Sequence, residues 1–331
     1  MAQGVRWGIV GLGSIAHTFA KDLAMVKGGS LIAVASRSIE KAKEFAKEYG
    51  ATYTFDSYEA LFESNEVDVV YIATPHTSHE DLSIRAMQKG KHVLCEKPMG
   101  VNPEQIARMI SAAKENKVFL MEALWSRFNP SIQKAKQLVD NGKIGPIGFI
   151  HADFAFYALS RDAENRLLNP DLAGGSLLDV GIYPIFLSYL LLGMPKKIQA
   201  SSRFFKTGVE MQTSMIFDYD DAQAILYSGL NSKSEMKAEI SGSDGSIFLY
   251  PRWHEAQGYS IEKEGEVVDY NLPTHGKGYT YEIEEVQACL ASGKQQSTMW
   301  SHQNSLDLAQ LLYEVRQKSG VIFPFEEQKQ A

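Results

Sequence analysis

Cysteine is almost absent. Only Cys95 and Cys289 occur in 331 residues, and neither has a C-x-x-C or metal-type partner. Two isolated thiols exclude a disulfide framework and fit free cysteines in a reducing compartment. A basic excess is missing too: 33 Lys+Arg stand against 40 Asp+Glu, a net charge of −7. No basic cluster interrupts the chain, which argues against nucleic acid or an anionic membrane surface as partner. Long apolar runs are also lacking. The longest uncharged stretch, Val180 to Pro195, lies between Asp179 and Lys196 and contains Pro184. It is too short and interrupted for the about 20 apolar residues of a bilayer-spanning helix, and reads as a buried helix. The opening Met1-Ala2-Gln3-Gly4-Val5-Arg6 runs straight into a strand pattern, with no export leader. The expected location is therefore cytoplasmic, with no membrane partner.

With 44% hydrophobic and 22% charged residues, the composition is that of a well-cored globular protein. Its length suggests two domains. Up to about residue 122 short apolar runs alternate with helical patterns: strands at Val5 to Val10, Leu31 to Ser36, Thr52 to Phe55, Val67 to Ile72, His92 to Cys95 and Val118 to Glu122. This alternation predicts an α/β domain, 1–122, with a doubly wound parallel sheet. After Asn129 the rhythm changes. A helix Ser131 to Asn141, a strand Gly148 to Phe156 and an apolar helix Leu177 to Leu192 precede a series of β-rich runs from Ile198 to Tyr270 joined by Gly, Asp or Ser turns. Helices Tyr281 to Ala291 and His302 to Lys318 follow. The second domain, 123–331, is thus expected to be α+β, with a large, mainly antiparallel, meandering sheet.

Gly11-Leu12-Gly13-Ser14-Ile15-Ala16 follows the first strand and opens a helix, the context a dinucleotide fingerprint requires. In that role Gly11 makes the tight turn, Gly13 admits the pyrophosphate, and the helix N-terminus at Ser14 and Ile15 favours the anion. Ala16 replaces the third glycine, a permitted change. The alternative is a plain strand-to-helix turn. At the end of the second strand, where NAD enzymes place a carboxylate, this chain has Ser36-Arg37-Ser38. Arg37 suits a 2′-phosphate and the serines can donate to its oxygens, so NADP(H) is expected in preference to NAD(H). Otherwise Arg37 is a solvated turn charge. Glu96-Lys97-Pro98 closes the fifth strand on the ligand-binding edge of the sheet. A lysine beside an oxidised nicotinamide would have its pKa lowered and serve as acid or base; the alternative is a surface lysine paired with Glu96.

Together with Thr74-Pro75-His76-Thr77-Ser78-His79 and Gly174-Gly175-Ser176-Leu177-Leu178-Asp179-Val180-Gly181-Ile182-Tyr183, these motifs occur in an order that resembles the glucose-fructose oxidoreductase/inositol dehydrogenase/MocA (Gfo/Idh/MocA) family. The family motif usually ends in histidine where this chain has Tyr183. With Met121 to Pro130 (MEALWSRFNP), that change resembles the subgroup of dimeric dihydrodiol dehydrogenases and sugar or xylose dehydrogenases. The resemblance implies a Rossmann domain and an open-faced second sheet. It also implies a hydride transfer between nicotinamide and a hydroxyl or carbonyl carbon of a sugar, polyol or vicinal diol. Lys97 would be catalytic and Tyr183 the proton donor or acceptor, its pKa lowered by the lysine. Asp179, at i, i+4 from Tyr183, could orient Lys97 or a substrate hydroxyl.

Thr74, Pro75, His76, His79 and Glu96 would join the cofactor cleft. His76 and His79 lack a third ligand at metal spacing, so no metal is expected. Trp125, Arg127, Phe154, Tyr157 and Trp253 are the candidate substrate contacts, aromatic faces suiting sugar or diol rings. The open sheet and the family both suggest a homodimer. Two competing functions remain: an epimerase or glycosidase-type enzyme that retains its cofactor, and a non-catalytic NADP-binding regulator.

Overall fold

A computed structural model describes residues 4–327; Met1 to Gln3 and the last four residues lie outside them. The chain forms two compact units. One contains the residues up to Arg127 together with His275–Leu306, the other Phe128–Thr274 and the segment from Asp307 onward. The break therefore falls after Arg127, a few residues past the expected boundary, and a late segment returns to the first unit.

In the first unit the strands are β1 Val5–Val10, β2 Gly29–Ala35, β3 Tyr53–Phe55, β4 Val69–Ile72, β5 His92–Glu96 and β6 Leu120–Ala123. They form one parallel sheet in the order β3-β2-β1-β4-β5-β6. Every residue of β4 is buried, as a continuous apolar run between covering helices requires, and β6 is buried throughout as well, Glu122 included. The helices are α1 Ser14–Leu23, α2 Ile39–Tyr49, α3 Tyr58–Glu63, α4 His79–Gln88 and α5 Pro103–Asn116. Ser38, Ser57 and Asn102 accept a backbone N–H at the starts of α2, α3 and α5, and Pro103 sits where its missing N–H costs nothing. α1, like α4, has no side-chain cap. It is fixed by packing instead, Phe19 stacking on Tyr71 at 3.7 Å and meeting Trp7 edge-on at 5.5 Å. Strand order reverses between β1 and β4, which opens a crevice at the carboxyl ends of those strands. The returning segment is tied to α1: Asp22, 3% exposed, accepts the backbone N–H groups of Lys277, Gly278 and Tyr279 at 2.8 to 3.0 Å.

The second unit holds α6 Pro130–Asp140, β7 Ile147–Ala155 and α7 Ile182–Leu192. These are followed by β8 Lys197–Phe204, β9 Glu210–Asp218, β10 Gln223–Gly229, β11 Ala238–Gly242, β12 Gly245–Leu249, β13 Gly258–Lys263 and β14 Glu266–Asn271. The sheet order is β14-β13-β12-β11-β7-β10-β9-β8. It is not one continuous meander. Two meanders, β8-β9-β10 and β11 to β14, flank β7, which pairs antiparallel with β11 and parallel with β10. β7 precedes the buried helix in sequence, so it fills the centre and leaves the later hairpins to grow outward. α6 and α7 cover one face. On the other, alternation leaves Ile225 of β10 41% exposed between buried Ala224 and Leu226.

The expected helix Leu177 to Leu192 divides. It opens as a π-helical turn, Leu177–Gly181, and only then continues as α7. The stretch Pro170–Leu192 is apolar enough by composition to cross a membrane, and 78% of its most apolar window is buried. Farther on, fully buried Arg316 pairs with Glu326 and lies 4.0 Å over the Phe323 ring, which fixes the end of the described chain.

Candidate active site

In the first unit the nucleotide turn is shaped by two glycines with different tasks. Gly11 has φ +86°, and a side chain there would meet the backbone of Ala73 and Thr74 within 2.8 Å. The turn therefore packs directly on the loop after β4. Gly13 meets nothing within 4 Å of where a Cβ would stand, so open space lies above it at the start of α1. No side chain caps that helix and no acid occupies its first turn. Its N–H groups are thus available to an anion. Ala16 is fully buried, as close helix-to-strand packing requires, and the buried Thr74 hydroxyl has no hydrogen-bond partner among the described residues. An open space over Gly13, an uncapped helix and an unused hydroxyl fit a dinucleotide pyrophosphate.

At the end of β2 Arg37 is exposed. Ser36 accepts the Ser38 N–H, and Ser38 both caps α2 and donates its hydroxyl to Glu40 at 2.8 Å. The Glu40 backbone N–H, then that donation, hold the Glu40 carboxyl below its ordinary range. Ser38 is therefore already engaged locally, leaving Arg37 as the charged group best placed for a phosphate.

At the end of β5 Glu96, 7% exposed, accepts the Tyr71 hydroxyl and, at 3.2 Å, the Lys97 backbone N–H. Burial, then the charge of Glu96, pushes the Tyr71 phenol well up. Lys97 is half-buried. Glu122 fixes the loop that follows, accepting the Met99 N–H at 2.9 Å. Burial raises the Glu122 carboxyl, while Ser305, the Met99 N–H, Trp300 and the charge of Lys97 oppose that rise. His79 is fully buried, its two ring nitrogens each 2.8 Å from a carbonyl oxygen, Pro98 on one side and Thr74 on the other. It thereby ties the loop after β4 to the one after β5. His76 is also buried, its ring 5.7 Å from that of His79. Among the described residues no group of three or more His, Cys, Asp or Glu is arranged to hold a metal. Both cysteines are free and buried, and burial raises both thiols.

Trp125 is 5% exposed and stacks on Tyr279 at 4.8 Å, while Arg127 donates Nε–H to the Met299 carbonyl at 2.9 Å. Tyr279 escaped the sequence analysis. A tyrosine after a Gly-Lys-Gly turn carries no local mark of a ring that lies on a tryptophan from a distant segment.

In the second unit Tyr183 is 5% exposed, its ring 5.4 Å from Phe154 and 5.2 Å from His254. Phe154 and His254 stack at 4.1 Å. His254 is the second residue that sequence reasoning missed. Trp253, its neighbour, was expected at the substrate but is fully buried, donating its indole N–H to the Asp153 carbonyl at 2.8 Å. Tyr157 is 52% exposed and is not among the rings around Tyr183. Asp179, 7% exposed, accepts Arg166 Nη1–H at 2.7 Å. The unit thus groups Phe154, Tyr183 and His254, with Asp179 one turn earlier on an arginine.

Residues 5–124 match the family model described as an oxidoreductase family with an NAD-binding Rossmann fold, and 132–248 match the GFO/IDH/MocA C-terminal domain. The chain is 33% identical to the scyllo-inositol 2-dehydrogenase (NADP(+)) IolU of Bacillus subtilis, covering 98% of this chain and 99% of that protein. It is 34% identical to the trans-1,2-dihydrobenzene-1,2-diol dehydrogenase of Mus musculus, covering 97% and 98%. Among solved structures it is similar to KijD10, a 3-ketoreductase from Actinomadura kijaniata in complex with NADP and TDP-benzene (27% identity, TM-score 0.87, 96% and 98% coverage). It is also similar to an aldose-aldose oxidoreductase from Caulobacter crescentus (25% identity, TM-score 0.88, 96% and 98% coverage). KijD10 has also been solved with a lysine replaced by alanine or glutamate and with a tyrosine replaced by phenylalanine.

Proposed function

The chain belongs to the Gfo/Idh/MocA oxidoreductase family, and from that premise we propose an NADP-dependent dehydrogenase or reductase acting on a CH–OH group of a sugar, polyol or vicinal diol. The carrying observation is the turn at the β1–β4 switch point: an uncapped helix under open space at Gly13, with Arg37 in place of an acid at the end of β2. Gly11, Gly13, Ser14, Ile15 and Ala16 would hold the pyrophosphate, and Arg37 with Ser36 the 2′-phosphate. Thr74, Pro75, His76, His79 and Glu96 would line the nicotinamide side. When bound, the nicotinamide accepts or supplies the hydride.

The proton is the task of the chain's own residues. Tyr183 is the proposed acid or base, buried among Phe154 and His254 where water is scarce. An ordinary phenol has a pKa of about 10, and a nearby ammonium lowers it, the role proposed for Lys97. Asp179 would keep its turn oriented through Arg166. Trp125, Arg127 and Phe154 are the favoured substrate contacts. Tyr157, exposed, and Trp253, fully buried, have less support.

The second unit's uncovered sheet face carries Ile225 and a cavity of about 640 Å³ lined by His151, Asp153, Tyr227 and Phe248. This supports a homodimer through that sheet, which sedimentation of the purified protein tests. A cytoplasmic location and a division of labour, nucleotide on the first unit and substrate and assembly on the second, complete the proposal. The deciding assay follows nicotinamide absorbance with NADP+ and then NAD+ across pentoses, hexoses, polyols and cyclic diols, for wild type beside Lys97→Met and Tyr183→Phe. NADP+ reduction that both variants lose while still binding nucleotide supports the assignment; full turnover in both refutes it. The likeness to an aldose-aldose oxidoreductase favours one second reading, in which cofactor stays bound between two half-reactions. Nicotinamide that co-purifies and is reduced only once per protein would establish it.

A further inference from the structure

We propose that Glu210 is a positioning residue for Tyr183: its carboxylate caps the π-turn that leads into Tyr183, and that turn loosens when the negative charge is lost. The inference rests on the assignment of Tyr183 as the proton-transfer group. A helix start leaves several N–H groups without partners, and a nearby Ser, Thr, Asp or Asn normally meets them. Here Ser176, just before the turn, makes no such bond and pairs its hydroxyl with Ser228 at 3.0 Å. The cap comes from another strand: Glu210 of β9 accepts the Leu177 N–H at 2.8 Å. An anion at that end is also favoured by the helix dipole.

Gly175, just before the turn, lets this contact form, and Gly174 lets the chain ahead of it fit against its own loop. Gly175 has φ +121°, and a Cβ there would stand 2.2 Å from both carboxylate oxygens of Glu210. At Gly174 a Cβ would fall 2.6 to 2.9 Å from the carbonyl oxygens of Arg166, Asn169 and Leu167. Only glycine lets the chain pass between that loop and the carboxylate. Glu210 is 1% exposed, and its second oxygen has no hydrogen-bond partner among the described residues. A buried acid left half-satisfied is costly, so a role for it is expected. Burial pushes the carboxyl up to about 7, against the Leu177 and Glu210 backbone N–H groups and the charge of Arg316. Arg316 is itself paired with Glu326. The Ser176 and Ser228 hydroxyls are the uncharged polar neighbours of the turn, and Arg166 with Asp179 is its next charged pair.

Glu210→Gln keeps the shape and removes the charge; Glu210→Asp keeps the charge. We expect the Gln variant to lose roughly 10- to 100-fold in kcat above neutrality, the scale of a displaced catalytic group, with KM for NADP+ unchanged. Its kcat should lack the acid limb expected of wild type near neutrality, and Glu210→Asp should recover part of the rate. In wild type, amide exchange of residues 177–183, corrected for intrinsic rate, should lose protection as pH falls through neutrality. A Gln variant with wild-type kcat, or one that keeps the acid limb, overturns the proposal provided Tyr183→Phe is inactive. If Tyr183→Phe is fully active, the assignment of Tyr183 fails instead, and exchange alone judges the turn. If the Gln variant does not fold, the wild-type exchange profile decides, and protection independent of pH overturns the proposal.

Discussion

Glu122 closes β6 at 2% exposure and gathers three donors: the Met99 N–H at 2.9 Å, the Ser305 hydroxyl at 2.7 Å and the Trp300 indole N–H at 3.1 Å. Glu122→Ala strands the Met99 N–H and the Ser305 hydroxyl in a buried site. Trp300 retains a second acceptor in Ser305 Oγ at 3.0 Å. At about 1 to 3 kcal/mol for each stranded buried donor, with the vacated volume adding to it, the variant should lose about 4 to 6 kcal/mol. Glu122→Gln preserves the acceptor for Met99 and turns its amide toward two groups, of which the Ser305 hydroxyl can rotate to accept. Its cost should stay near 1 to 2 kcal/mol, one net hydrogen bond. Urea unfolding of the three proteins side by side measures the difference. A gap of about 3 kcal/mol between Ala and Gln is a large fraction of a typical protein's stability. Equal stabilities for the two variants would refute the idea that this carboxylate is the acceptor holding the loop after Lys97.

Two further outcomes follow from single groups. Arg37→Glu should raise KM for NADP+ by about 10- to 100-fold, the loss of one charge-assisted phosphate pair of about 1.5 to 3 kcal/mol, and leave NAD+ preferred. The effect should shrink with added salt because the site is exposed, and an unchanged cofactor preference would remove Arg37 from the nucleotide site. Glu282 is fully buried with both oxygens lacking partners among the described residues, and burial, then Glu96 and Asp22, push its carboxyl well above the usual range. A raised folded pKa means stability is full below the ordinary carboxylate value and falls as pH rises toward the folded one. Glu282→Gln should therefore be more stable than wild type in mildly alkaline buffer and equal to it in acid. Thermal melts showing the reverse order would contradict that sign.

Local patterns reveal this fold wherever an element's environment repeats along the chain. LIAVAS reads as a doubly covered strand because β2 lies between β1 and β3 under helices, and the structure places β2 at Gly29–Ala35. Ser38, Ser57 and Asn102 mark helix starts because the capping bond spans only three residues. What escapes is set by distant partners. The parallel pairing of β7 with β10 depends on which strand edge remains free once two meanders have formed. The return of His275–Leu306 to the first unit depends on Asp22 collecting three N–H groups of the loop at 277–279.

The same distinction governs the site. Gly11 and Gly13 are readable because a tight turn and an open helix end constrain contiguous residues. Trp253 and His254 are not, because size draws attention to the tryptophan while it is the histidine ring, two residues after the left-handed Arg252 at φ 60°, that meets Phe154 and Tyr183. The glycine pair before Leu177 lies between these cases. The sequence marks Gly174 and Gly175 as part of a motif without saying why glycine is needed. The reason is a carboxylate on β9 pressed against Gly175 and the carbonyl oxygens of Arg166, Leu167 and Asn169 pressed against Gly174, which no local pattern encodes. A motif residue can thus be legible while its cause is not, and the cause is where a new functional group such as Glu210 is to be sought.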